Sequence, residues 1–264
     1  MGHTFLGTAT EAALAAGAIQ KAKYGTRLTI EHKGEINIVT EVDRACEDAV
    51  VAMLRSRFPD HDIVTEETEI ARTGSPYVWY IDPLDGTTNF AHGYPCFCSS
   101  IALAHEGRVI AGAVYDPLRQ ELFTAERGVG SFLNGTRLKV SAATELINAL
   151  LLTGFPYNVR EDVTNKLRLF GRFIGEARAV RRDGSAALDL CYVAAGRVDA
   201  FWEETLYPWD MMAGILMIEE AGGRASRFDG TPITPRVDEI VASNGLLHPR
   251  MLELLAKDQQ ERRG

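Results

Sequence analysis

A chain of 264 residues with 46% hydrophobic and 24% charged side chains has the composition of a folded protein with a substantial core, which sets disorder aside. Its 28 basic against 36 acidic residues leave a net charge of −8, a balance that argues against broad electrostatic binding to nucleic acid or an anionic membrane. No apolar run reaches the roughly eighteen residues of a spanning helix, and the stretch from Met1 lacks both a signal-peptide pattern and, with Leu6 where Ser or Thr is needed, a myristoylation pattern, so a cytoplasmic protein is expected.

Thr8 and Glu11 have capping-box spacing ahead of an alanine-rich segment, which predicts a helix over 11–23. A short strand over 27–31 leads into a polar, glycine-containing loop, Glu31-His32-Lys33-Gly34-Glu35, that is free to move. Thr40-Glu41-Val42-Asp43 opens a periodic helix through residue 53, with Val42, Ala45, Ala49, Val50 and Met53 on its apolar side. Ile63-Val64 reads as a strand that runs into Thr65-Glu66-Glu67-Thr68-Glu69. Three acids in five residues suit a helix start, where negative charge is favoured, or one wall of an acidic site.

The apolar run 77–81 reads as a buried strand that meets Asp82-Pro83-Leu84-Asp85-Gly86-Thr87-Thr88. Burying an ionised carboxylate costs several kcal/mol unless a cation compensates it. Pro83 is expected to turn the chain directly after Asp82 and bring Asp85 round to the same side. Gly86-Thr87-Thr88 then offers a permissive backbone, two hydroxyls and a helix start, the local chemistry of an anion site. The alternative is an Asp-Gly turn whose acids cap backbone amides in solvent.

Strands are expected over 97–104, 109–115, 121–125 and 131–140, separated by turns such as Glu106-Gly107, Asp116-Pro117 and Asn134-Gly135, as in an antiparallel meander. A strand over 149–153, helices near 164–176 and 185–195 and a strand over 198–202 follow, so a mixed α/β half succeeds an antiparallel half without a linker. Gly184-Ser185 opens the second of those helices, and Glu203 and Glu204 end the last strand. Tyr207-Pro208-Trp209-Asp210 leads into a helix over 211–220 closed by Gly222-Gly223, which leaves Asp210 as either an N-cap or a ligand. The four cysteines form no C-x-x-C and no zinc site is expected; Cys96 and Cys98 share a strand face as small packing residues.

These blocks carry a resemblance. Trp79 to Phe90 resembles the first signature of the inositol monophosphatase family, and Trp209-Asp210-Met211-Met212-Ala213-Gly214 with Glu219-Glu220-Ala221-Gly222-Gly223 resembles its second. Thr65-Glu66-Glu67, the stretch from Asn37 to Asp43, and Arg182-Asp183-Gly184-Ser185-Ala186-Ala187-Leu188 agree as well, so the likeness spans nearly the whole chain. It implies an α/β (α+β) layered αβαβα sandwich of the inositol monophosphatase and fructose-1,6-bisphosphatase type. The chain would form one unit over 1–264, with an antiparallel half over 1–140 and an α/β half over 141–264 that carries Asp210 and substrate contacts.

The same likeness implies that Glu66, Asp82, the Leu84 carbonyl, Asp85 and Asp210 hold two or three magnesium ions, hard cations that take oxygen donors; Lys33 is expected as a solvated lysine, the alternative being a place near a third, weaker ion. Glu66, Thr87 and Asp43 are the implied catalytic residues, and Asp85, Gly86, Thr87, Ser185, Ala186 and Glu203 the implied substrate contacts, with Glu204 a bystander. The implied activity is lithium-sensitive, magnesium-dependent hydrolysis of inositol monophosphates by an activated water. Fructose 1,6-bisphosphate, 3′-phosphoadenosine 5′-phosphate and histidinol phosphate are alternative substrates, and a homodimer is expected. Some bacterial relatives associate with the transcription machinery, so an adaptor role is the non-enzymatic alternative. Two positions depart from the family pattern: Thr65, where glycine is frequent, and Asp183, an acid beside the substrate helix. Arg178, Arg181 and Arg182 form the one local basic cluster, expected as a solvated or dimer-facing patch.

Overall fold

The computed structural model describes residues 4–236 and 238–263. The expectations placed on Met1, Gly2 and His3 lie outside them. No helix among the described residues is long and apolar enough to cross a membrane.

Helix α1 (Phe5–Lys23) starts earlier than the capping-box spacing predicts, because Thr4 is its N-cap and takes a hydrogen bond from the Gly7 amide at 3.1 Å. Thr8 is instead an interior helical residue whose buried hydroxyl meets Arg57. A two-stranded antiparallel ribbon, β1 (Ile30–His32) and β2 (Ile38–Thr40), leads into α2 (Glu41–Arg57). The acids of 65–69 start no helix; β3 (Asp62–Thr65) ends among them. In β4 (Tyr77–Asp85), Trp79 and Ile81 pack towards α1 and α2 while Val78 and Tyr80 enter the opposite core. Burial on both faces is why this strand reads as a continuous apolar run.

After the short helix α3 (Thr87–Ala91) come the meander strands β5 (Cys98–His105), β6 (Arg108–Asp116), β7 (Glu121–Glu126), β8 (Gly130–Leu133) and β9 (Thr136–Arg137). Strands β3 to β9 form one seven-stranded sheet in sequence order, parallel between β3 and β4 and antiparallel elsewhere. The expected strand over 131–140 is two strands, since Asn134 and Gly135 both take positive φ at the hairpin turn. The remaining elements are β10 (Leu150–Thr153), α4 (Val163–Ile174), β11 (Ala179–Arg181), α5 (Ala186–Ala194), β12 (Ala200–Leu206), α6 (Pro208–Glu220), β13 (Arg224–Ser226), β14 (Asp238–Ser243) and α7 (His248–Arg263). Their strands make a second, mixed sheet of order β11-β10-β12-β14-β13.

Helices α1 and α2 cover the outer face of the first sheet, α5 and α6 fill the space between the two sheets, and α4 and α7 close the outer face of the second. The architecture is therefore a layered α/β sandwich in the order αβαβα. The middle layer is almost wholly apolar, as a helix pair buried on all sides must be. Its spacing depends on Gly214, where any Cβ would run into the Leu190 side chain. Gly214→Ala should lower the unfolding free energy by about 1–3 kcal/mol through overpacking. An unchanged urea midpoint would show that α5 and α6 separate without cost.

Candidate active site

The site grows out of an irregularity in β4. Pro83 does not turn the chain after Asp82, as its fixed φ predicts. The strand continues to Asp85, and its register against β5 shifts between the pairs Asp82↔Ser100 and Asp85↔Cys98. A bulge lets the strand absorb a residue without a ladder donor and re-aims the side chains on either side of it. Asp82 and Asp85 then face one cavity of about 860 Å³ together with Glu66, Asp210 and Leu84.

Each carboxylate is held by one oxygen. Asp82 Oδ1 accepts from the Leu84 amide at 3.0 Å, and Asp85 Oδ2 accepts from Ser185 Oγ at 2.6 Å and the Ala187 amide at 2.8 Å. Asp210 sits at the third position of α6, and its Oδ2 accepts from the Tyr207 amide at 2.7 Å. It is thus part of the cap hydrogen bonding while lying inside the helix, and it still lines the cavity. Glu66 accepts from Lys33 Nζ at 3.2 Å, and the same ammonium lies 2.6 Å from Glu67. Lys33 is therefore ion-paired at the cavity wall.

Burial pushes the carboxyl pKa of Glu66 up to about 7 against the pull of Lys33. Burial, reinforced by the neighbouring acids, raises Asp82 and Asp210 well above the usual carboxylate range. Asp85 rises too, for the same first reason, offset by its Ser185 and backbone hydrogen bonds.

Among the described residues no three His, Cys, Asp or Glu side chains form a ready-made ion-holding cluster. Backbone and hydroxyl donors engage one oxygen each of Asp82, Asp85 and Asp210. The donor set still suits a hard cation, since the four carboxylates are oxygen donors that line one cavity together with Leu84.

Asp43 lies behind this wall, fully buried at the third position of α2. Thr40 fixes its Oδ2 through the amide at 2.9 Å and the hydroxyl at 2.6 Å, and Thr87 Oγ1 donates to its Oδ1 at 2.8 Å. The capping box of α2 thus also positions a carboxylate under Thr87. Burial raises the pKa of Asp43, and its Thr40 and Thr87 hydrogen bonds oppose the rise. Thr87 Oγ1 is also 3.0 Å from the Leu84 carbonyl, and its single proton serves one acceptor at a time. Gly86 takes φ 93°, and a Cβ there would lie 2.8 Å from the Cys96 carbonyl, so this turn requires glycine.

Ser185, Ala186 and Glu203 line the same cavity. Glu203 and Glu204 do not end a strand: β12 runs on to Leu206, with a register shift between Glu203 and Leu206. Burial raises the Glu203 carboxyl to about 8, with the Arg182 guanidinium opposing. Glu204 points elsewhere, to Lys166 and Arg262. Of the two departures from the family pattern, Thr65 donates its hydroxyl to the buried Glu47 at 2.6 Å, while Asp183 gives its carbonyl to Asn89 and does not line the cavity. The basic cluster divides: Arg178 binds Asn148 and Arg181 its own neighbour's carbonyl, whereas Arg182 lines the cavity and is no mere solvated patch.

Sequence reasoning missed Asp189 and Tyr157. Asp189 is the one charged residue in the apolar helix α5, a signal present in the sequence. Tyr157 lines the cavity from an irregular loop and is 51% exposed.

The sequence profile of the inositol monophosphatase family matches residues 2–263. The chain is 42% identical over 260 residues to inositol-1-monophosphatase of Synechocystis sp., covering 98% of this chain and 91% of that one. It is 43% identical over 262 residues to Nus factor SuhB of Escherichia coli (strain K12), covering 98% and 97%. The solved inositol monophosphatase from Anabaena (Nostoc) sp. superposes with a TM-score of 0.88 at 42% identity, covering 96% of this chain and 95% of that one. The match over nearly the whole length and the shared fold place the chain in the inositol monophosphatase family.

Proposed function

We propose that the protein hydrolyses inositol monophosphates and related polyol phosphates with magnesium bound at Glu66, Asp82, the Leu84 carbonyl, Asp85 and Asp210. The observation that carries this reading is the convergence of four acids and Leu84 on a cavity that also holds Gly86 and Thr87. Bound magnesium supplies Lewis acidity for the phosphoryl oxygens and lowers the pKa of a bound water. The first amides of a helix lack intrahelical acceptors, so those of Gly86 and Thr87 are available to a phosphoryl oxygen. Thr87 Oγ1 orients the attacking water and takes its proton while passing its own to Asp43 Oδ1, 2.8 Å away. With the Leu84 carbonyl turned towards a cation, Asp43 is the remaining acceptor for that proton. Lithium sensitivity and a homodimer belong to the same reading.

Phosphate release from inositol 1-phosphate should require magnesium, and Thr87→Ala should lower kcat by about 10²-fold, the scale of general-base catalysis, while Thr87→Ser retains most of it. Hydrolysis without magnesium, or equal kcat in both variants, would overturn this reading. The likeness to Nus factor SuhB favours a second reading, a contact with the transcription machinery. Recovery of RNA polymerase subunits with the purified chain, persisting in Asp82→Asn, would support it; their absence would reject it.

A further inference from the structure

The bulge that aims Asp82 and Asp85 at the cavity leaves a gap in the sheet. Pro83 and Leu84 stand between the ladder pairs Asp82↔Ser100 and Asp85↔Cys98, where β5 has only Ser99. Pro83 carries no amide hydrogen, and the Leu84 amide is turned back to Asp82 Oδ1 at 3.0 Å. Neither residue donates across the gap, so buried carbonyls beside it need a donor from elsewhere.

That donor comes from α1. Gln20 is the last buried residue of this helix, whose buried face is otherwise made of Thr, Ala and Gly. Its Nε2 donates to the Pro83 carbonyl of β4 at 2.8 Å and to the Cys98 carbonyl of β5 at 3.1 Å. A carboxamide nitrogen carries two hydrogens, one for each strand. Ser99 Oγ donates to the Ala13 carbonyl at 2.9 Å, which ties the middle of the gap to the same helix. Gln20 Oε1, by contrast, is buried without a partner among the described residues. An orphaned buried acceptor is destabilising, so a helix that only had to cover the sheet would do better with an apolar side chain at this position.

We propose that Gln20 is a positioning residue: its carboxamide replaces the missing rungs between β4 and β5 and thereby fixes the placement of Asp82 relative to Asp85. It acts through the strands and touches neither cation nor substrate. Its consequence for magnesium rests on the proposed function. The test is Gln20→Met, which keeps the length of the side chain and removes the donor and the orphaned acceptor together, so the metal-free thermal midpoint should move little. Calorimetric magnesium affinity, measured where both proteins are fully folded, should fall about 10-fold, the scale of leaving a buried carbonyl unsatisfied. Unchanged affinity overturns the proposal, whatever the midpoint does, because a residue that only packs would leave it unmoved. Gln20→Asn, one methylene too short to span both carbonyls, decides the matter by the same titration if Gln20→Met does not fold. A parent that binds no magnesium would refute the proposed function instead. Gln20 is then judged by hydrogen exchange in the folded variant: the Leu84 amide should exchange about 10-fold faster while those of Val78 to Ile81 keep their parent rates, and an unchanged Leu84 rate overturns the bridge.

Discussion

Replacing Asp210 by Asn should reduce magnesium-dependent phosphate release by on the order of 10³-fold, the rate equivalent of losing several kcal/mol of charge stabilisation. The substitution keeps an oxygen that can accept from the Tyr207 amide, now 2.7 Å from Asp210 Oδ2, so the start of α6 should stay in place. What it removes is one negative charge from a wall where burial already disfavours ionisation. The loss should therefore appear in calorimetric magnesium affinity as well as in kcat, with the far-ultraviolet circular dichroism unchanged. Full turnover in the variant would remove Asp210 from the ligand set.

The second large effect concerns stability without metal. Folded Glu66 and Glu203 hold their protons up to about 7 and about 8, against an ordinary value of 4.5. Between those limits the unfolded chain has released protons that the folded chain retains, so stability must fall as pH rises from 4.5 to 8. The decline should amount to several kcal/mol, roughly 1.4 kcal/mol for each pH unit by which a group is raised. In EDTA the thermal midpoint should drop steadily across this range. Under the proposed function magnesium would bind the deprotonated acids, so the gain in midpoint on adding it should be larger at pH 8 than at pH 5. Glu203 lies outside the proposed ligand set, and Glu203→Gln should flatten the part of the slope that persists with magnesium. A midpoint that rises with pH in EDTA would contradict the buried acids as described.

Much of this was legible because the signals were strong and local. The continuous apolar run that buries β4 on both faces, the capping residues of α2 and the glycine turn after Asp85 are all written in neighbouring residues. The acids Glu66, Asp85 and Asp210 each stand where an element begins or ends, and Asp82 stands beside the proline bulge of β4, which is how sequence pattern can point to a shared wall. Strands β11 and β13 were missed because three residues are too few to show a period, and β14 because it is recognisable only by its pairing with β12. Helix α7 is rich in charge, and its buried Met251, Leu254 and Leu255 make too sparse a stripe to stand out. The turn expected at Pro83 failed for a tertiary reason: pairing with β5 on both sides of the bulge holds the strand together where local chemistry would end it.

The cavity draws one acid from the end of β3, two from the bulge of β4, one each from α5 and the start of α6 in the middle layer and one from β12 of the second sheet. No layer contains enough of them to act alone. A chain whose sheets have not yet closed on α5 and α6 has no place where these groups meet, so a nascent or half-unfolded molecule cannot cleave a cellular phosphate ester indiscriminately. Hydrolytic competence is in this sense a report that the last layer has docked.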